Sequence, residues 1–177
     1  MNSIKITSGF LGGRKIATPG GKTHPMGERE RLALFNMISE FLPGAVVLDA
    51  FAGSGALGIE AISRGAARVV FIDKSTDAVR TIEKNLEALG IQADCEVKKS
   101  SVLGATNLGL FDIILADPPY DDFKLTEIEY LVQFLDKDGI LVLSHPGEAP
   151  EIRGLKLKKS RQYAGATISI FEPWGNL

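Results

Sequence analysis

The sequence predicts an α/β protein: a mainly parallel sheet flanked by helices, with a β-hairpin arm before it and an antiparallel hairpin closing it. Three observations carry this. Apolar, strand-length stretches alternate with amphipathic helical stretches between residues 45 and 144, the pattern of βαβ units buried on both faces. A glycine-rich loop follows the first of those strands. The last two strand-like stretches are separated only by Ala164-Gly165-Ala166, too short for a parallel crossover and right for a hairpin.

Each element has its own signal. Residues 4–8 and 13–18 alternate, with Gly9, Gly12 and Gly13 between them, and read as a hairpin. Residues 28–42 place Leu32, Phe35, Ile38 and Leu42 near helical spacing, and Pro43-Gly44 stops the helix. Strand 45–50, helix 57–64 and strand 68–73 follow. Ser75 can N-cap a helix over 76–89 that Gly90 closes. Strand 93–98, strand 111–117, helix 125–135 and strand 139–144 complete the alternation. Strands 155–163 and 167–172 form the terminal hairpin.

The 177 residues suffice for one domain, an arm over 1–27 and a core over 28–177. A composition of 45% hydrophobic and 24% charged residues excludes disorder and coiled coil. No apolar run reaches the ~20 residues of a membrane span, and nothing resembles a signal peptide, so a cytoplasmic protein is expected. A lone cysteine, Cys95, allows no internal disulfide. With two histidines beside it, no metal site is expected. His24 and His145 read as surface or packing residues, Cys95 as a buried thiol, and Trp174 as a cover over an apolar edge.

The net charge of −2 conceals a division. Residues 1–31 and 151–163 each carry a net +4, and the body between them a net −9. If the basic segments meet, they form a face that attracts a polyanion.

Gly53-x-Gly55-x-x-Gly58 lies between strand and helix, where glycines let a ligand approach the backbone and the helix start offers free N–H groups. Asp73, ending the second strand of the alternation, can accept from both ribose hydroxyls of an adenosine-type ligand. The loop suits a dinucleotide or S-adenosylmethionine (SAM). Asp49, four residues before the first glycine, favours SAM, because its carboxylate attracts a cationic amino-acid moiety and repels a pyrophosphate.

Asp117-Pro118-Pro119-Tyr120 follows the fourth strand of the alternation, whose end neighbours the first in a doubly wound sheet. The prolines stiffen the loop. Asp117 and the Pro118 carbonyl are two acceptors matched to the two donors of an exocyclic amino group. Tyr120 offers a face for a planar base, with stacking worth roughly 1–3 kcal/mol.

These residues resemble the class I SAM-dependent methyltransferases that carry an (Asp/Asn/Ser)-Pro-Pro-(Tyr/Phe) motif. Ser8-Gly9…Gly13-Arg14-Lys15, Glu28-Arg29-x-Arg31, Asp49-x-Phe51-Ala52-Gly53-Ser54-Gly55-Ala56-Leu57-Gly58 and Tyr163-x-Gly165-x-Thr167 are similar to the bacterial rRNA (guanine-N2)-methyltransferases of the RsmD type. The resemblance implies a Rossmann-like fold. It implies a SAM site of Asp49, Phe51, Ala52, Gly53, Ser54, Gly55, Gly58, Asp73, Lys74 and Ser101, and catalytic Asp117, Pro118, Pro119 and Tyr120. It also implies an RNA face with Arg14, Lys15, His24, Arg29 and Arg31. The expected partner is ribosomal RNA, free or in the small subunit or its assembly intermediate, and the expected state is a monomer. The chain departs from the family pattern at His24-Pro25-Met26 (usually Arg-Pro-Thr), Asp73 (usually Glu), Ser100-Ser101 (often an acid) and Ser144-His145 (often Glu). The Pro-Pro motif leaves open DNA adenine, other RNA or protein glutamine as substrate. The glycine loop alone leaves open a nucleotide-binding dehydrogenase or a non-catalytic SAM-fold module.

Overall fold

In a computed structural model, residues 2–21 and 25–175 are described. Among them the chain forms an antiparallel pair, β1 (Ser3–Lys5) and β2 (Lys15–Ala17), and a seven-stranded mixed sheet. The sheet strands are β3 (Val46–Asp49), β4 (Arg68–Asp73), β5 (Cys95–Lys99), β6 (Phe111–Ala116), β7 (Leu135–His145), β8 (Leu155–Gln162) and β9 (Thr167–Pro173). Their order is β5-β4-β3-β6-β7-β9-β8. β3 through β7 are parallel to their neighbours, and β9 and β8 are antiparallel. The expected α/β architecture, with both hairpins, is the one observed.

The helices are α1 (Glu28–Met37), α2 (Ala56–Ser63), α3 (Thr76–Leu89) and α4 (Leu125–Leu131). α3 matches its predicted ends because both caps are local. The Ser75 hydroxyl accepts the Ala78 N–H at 3.3 Å, and Gly90 adopts the left-handed conformation at φ +71°. α1 is shorter than the predicted 28–42: Ile38 breaks it, and a 3₁₀ turn over Ser39–Phe41 carries the chain to Pro43. β7 begins earlier than predicted, because Leu135 already pairs with Phe111 before a register irregularity brings Ile140 opposite Ile113.

Two apolar layers cover the sheet. On one face α1, α2, α3 and Ile6, Leu11 and Ile16 of the arm pack against Val47, Val69, Phe71, Ile113 and Val142. On the other, Ile128 and Leu131 of α4 pack against Leu48, Val70, Ile114 and Leu143. The arm is held by polar bonds as well. Thr7 and Ser8 donate their N–H groups to Glu60 of α2 at 2.9 and 3.0 Å, and Asn85 of α3 exchanges two 2.9 Å bonds with Ala17.

Two side chains differ from expectation and one agrees. Cys95 is half-buried, although burial still pushes its thiol up to about 12. Trp174 is 66% exposed, with the Lys156 ammonium 6.0 Å from its ring, and covers no edge. His145 is a packing residue as expected, bonded through Nε2 to Ser169 Oγ at 2.8 Å. No helix among the described residues is long and apolar enough to cross a membrane.

Candidate active site

From β3 the chain runs outward through β4 and β5, then returns to β6 on the other side of β3. The strand order therefore reverses between β3 and β6, and a ligand crevice is expected beyond the carboxyl ends of those strands. A cavity of about 860 Å³ lies there. The glycine loop (50–54), the end of β4 (73–75), the turn after β5 (100–102) and residues 117–122 line it. Phe51, Ala52, Gly53, Ser54, Asp73, Lys74, Ser101, Asp117, Pro118, Pro119 and Tyr120 thus meet at one place, as the sequence suggested.

The three loop glycines have different jobs. Gly53, at φ +56°, has open space where a Cβ would stand, so its backbone is accessible to a ligand. Gly55, at φ +82°, faces inward, with Ile82, Ile59 and Phe71 3.3–3.4 Å from its missing Cβ. A Cβ on Gly58 would lie 2.3 Å from Phe71 Cε1. Gly55 and Gly58, expected to contact the cofactor, instead allow α2 to pack closely on the sheet.

Asp49 is buried at the end of β3. Its Oδ2 accepts the Gly58 N–H at 2.9 Å, and its Oδ1 has no partner among the described residues. Burial, reinforced by the charges of Asp117 and Asp73, pushes its carboxyl up to about 7 against the Gly58 bond. Asp49 lies behind the cavity lining, in which Glu30, Asp73, Asp117, Asp121, Asp122 and Glu127 outnumber Arg31 and Lys74. Such an environment favours a cation and repels a pyrophosphate. The orphaned Oδ1 and the bare Gly53 backbone fit a ligand carrying an ammonium group and a sulfonium. Asp73 is fixed at the rim, where Oδ2 takes the Gly53 N–H at 2.9 Å and Oδ1 the Ser75 N–H at 2.8 Å. Each oxygen keeps a lone pair for a ribose hydroxyl.

Burial pushes the Asp117 carboxyl up to about 6, with the Ser144 hydroxyl opposing the shift. Pro119 has no N–H to compete for the acceptors beside it. The Tyr120 hydroxyl is hydrogen-bonded to Ser144 Oγ at the end of β7, which holds the ring at the cavity.

The expected RNA face does not assemble as one surface. Arg29 is exposed on the first turn of α1, and Lys15 is exposed on β2. Arg31 is only 1% exposed. Its guanidinium bonds the Lys5 and Met26 carbonyls at 2.5 and 3.2 Å, and its Nε lies 3.5 Å from Glu60. Arg31 clamps the arm onto α2 rather than meeting phosphate, because one turn of helix from Gly27 carries it into the core. Arg14 bonds the Ala88 carbonyl in the last turn of α3. His24 lies outside the described residues.

Sequence reasoning missed four contributors. Asn85 ties the glycine loop to the arm, donating to the Ser54 carbonyl at 3.0 Å as well as to Ala17. Ser144 supports Tyr120. Glu30 and the 165–166 turn complete the cavity wall. Ser144 left a trace as a departure from the family pattern, and Gly165 as part of Tyr163-x-Gly165-x-Thr167; Asn85 and Glu30 are ordinary polar residues brought in by long-range packing.

Residues 4–172 match the family described as conserved hypothetical protein 95. The chain is 33% identical to YlbH of Bacillus subtilis (strain 168) over 97% of its own length and all of that protein. It is 33% identical to the ribosomal RNA small subunit methyltransferase D of Escherichia coli (strain K12), over 78% of this chain and 69% of that one. The solved structure of Escherichia coli yhhF superposes with a TM-score of 0.86 at 28% identity, covering 99% of this chain and all of the other.

Proposed function

The chain belongs to the conserved hypothetical protein 95 family, that of the RsmD-type methyltransferases, and from that membership we propose that it methylates the exocyclic N2 amino group of a guanine in small-subunit ribosomal RNA. One observation carries the reading. The paired acceptors of Asp117 and Pro118, with the Tyr120 ring, share a cavity with the accessible glycine loop after the adjacent strand β3. The names of the relatives support ribosomal RNA over DNA adenine, protein glutamine and the dehydrogenase alternative.

In this proposal Asp49 Oδ1 and Gly53 hold the amino-acid end of SAM. Asp73 takes the ribose hydroxyls, and Phe51, Lys74 and Ser101 border it. When bound, SAM supplies an electrophilic methyl group. The chain itself positions the base. A flipped guanine leaves its stack at a cost of a few kcal/mol and lies on the Tyr120 ring. Asp117, ionised above about pH 6, and the Pro118 carbonyl accept the two N2 hydrogens. They orient the nitrogen and raise its electron density, so positioning and electrostatics provide most of the acceleration. Asp117 need not be a strong base, because an alkylated arylammonium loses its proton readily.

The test is methyl transfer from labelled SAM to undermethylated small-subunit rRNA, free and in 30S particles, followed by nucleoside analysis. Labelled N2-methylguanosine is expected. Label on another nucleoside, or none despite SAM binding, overturns the guanine assignment.

A further inference from the structure

We infer that the free edge of the sheet, strand β8, is the track along which the RNA backbone enters the cleft. The inference rests on the RNA-methylating reading above and names the surface that reading requires. Among the described residues β8 is the last strand of the sheet and pairs only with β9. Residues directly opposite on neighbouring strands share a face. Lys156 stands opposite Glu172, Lys159 opposite Ile170 and Arg161 opposite Ile168. Ile168 and Ile170 belong to the same buried layer as Leu34 and Phe35 of α1, so these cations stand on the α1 side of the sheet. A register shift between Leu157 and Lys159 adds Lys158 to the row, and its ammonium reaches Glu172 on that same side. A regular strand would have sent alternate residues to opposite faces; the bulge gathers four cations onto one.

The row is neutralised only at the end remote from the hairpin turn. Glu172 pairs with Lys156 at 3.4 Å and Lys158 at 2.9 Å. Lys159 and Arg161 are exposed and make no ion pair among the described residues. They lead to the turn whose Gly165 and Ala166 line the cavity, in company with Gly27 and Glu30 at the start of α1. Exposed Arg29 lies between those two. The α4 rim is the reverse, with Asp121, Asp122 and Glu127 on the cavity wall. A polyanion is therefore repelled from the α4 side and attracted along β8. Arg14 lies off this path.

The experiment is filter binding of in vitro transcribed 16S rRNA over a KCl series, with SAM-analogue binding by calorimetry in parallel. The double variant Lys159→Ala/Arg161→Ala should bind RNA at least about tenfold more weakly near 0.1 M salt. Its log K against log[salt] slope should be shallower by about 1.5, the value for two lost phosphate contacts. S-adenosylhomocysteine affinity should stay unchanged. Lys159→Arg/Arg161→Lys should retain the wild-type slope, and Arg14→Ala/Lys15→Ala should change it less than the β8 variant does. A β8 alanine variant with the wild-type slope, or an arm variant showing the larger change, overturns the track. A wild-type protein that neither binds nor methylates the RNA overturns the function itself, a result distinct from either.

Discussion

The hydroxyls of Tyr120 and Ser144 are hydrogen-bonded across the junction of β6 and β7. Ser144 is buried and also opposes the upward shift of the Asp117 carboxyl. One small side chain thereby orients both the stacking ring and the acceptor. Glutamate, common here in the family, would place a second negative charge against Asp117.

Ser144→Ala is expected to lower kcat about tenfold, the value of one such hydrogen bond, with little change in SAM affinity. The acidic limb of the pH–kcat profile should move above about 6, because the donor holding Asp117 down is gone. Ser144→Thr should restore both. An unmoved pH limb in the alanine variant would show that Ser144 has no hold on Asp117.

Methyl transfer should rise through about pH 6 as Asp117 ionises. Asp117→Ala should lower kcat by at least about 10²-fold, the loss typical of a transition-state hydrogen-bonding group. SAM affinity by calorimetry should stay within about threefold.

Asp49 carries its proton to higher pH folded than unfolded, with a carboxyl raised from 3.8 to about 7. The folded state binds more protons across that window, so this group's contribution is full below about pH 4 and is lost as pH rises through about 7. Asp117 acts in the same sense up to about 6. The ligand-free protein should melt several degrees lower at pH 8 than at pH 5. An ammonium-bearing ligand should reverse this. S-adenosylhomocysteine is expected to raise Tm more at pH 8 than at pH 5, and equal shifts at both would mean that Asp49 does not meet the ammonium.

Arg31→Ala should leave Glu60 buried with one cationic partner fewer, at a cost of about 3–5 kcal/mol. For a chain of this size that is roughly a 10 °C fall in Tm by calorimetry. A residue serving only to touch phosphate would leave Tm unchanged.

Gly58→Ala forces a methyl group against Phe71 and should cost about 1–3 kcal/mol in denaturant melts, with SAM-analogue affinity retained when folded. Gly53→Ala should show the opposite balance, losing affinity at least tenfold with the smaller change in stability, because its Cβ meets no atom and only the left-handed backbone at φ +56° costs about 1 kcal/mol.

What the sequence determined by itself was whatever depends on near neighbours along the chain. Ser75 and Gly90 cap α3 with atoms three or four residues away. The apolar runs of β3, β4 and β6 announce strands covered on both faces, and the glycine loop and Asp117–Tyr120 each sit directly after a strand. Once a doubly wound order is assumed, those two motifs have to meet. The tertiary structure alone decided which polar groups are accessible. Arg31 and Arg29 stand two residues apart on the first turns of α1, yet Glu60 draws one into the core while the other stays in water. Gly53 and Gly58 share a motif, but only one has a Phe71 ring against it. Ser144 matters because β7 lies beside β6, and the cations of β8 share a face because a bulge shifts their register. Burial and pairing across tens of residues are sums over the whole packed chain, and local patterns of residue type do not contain them.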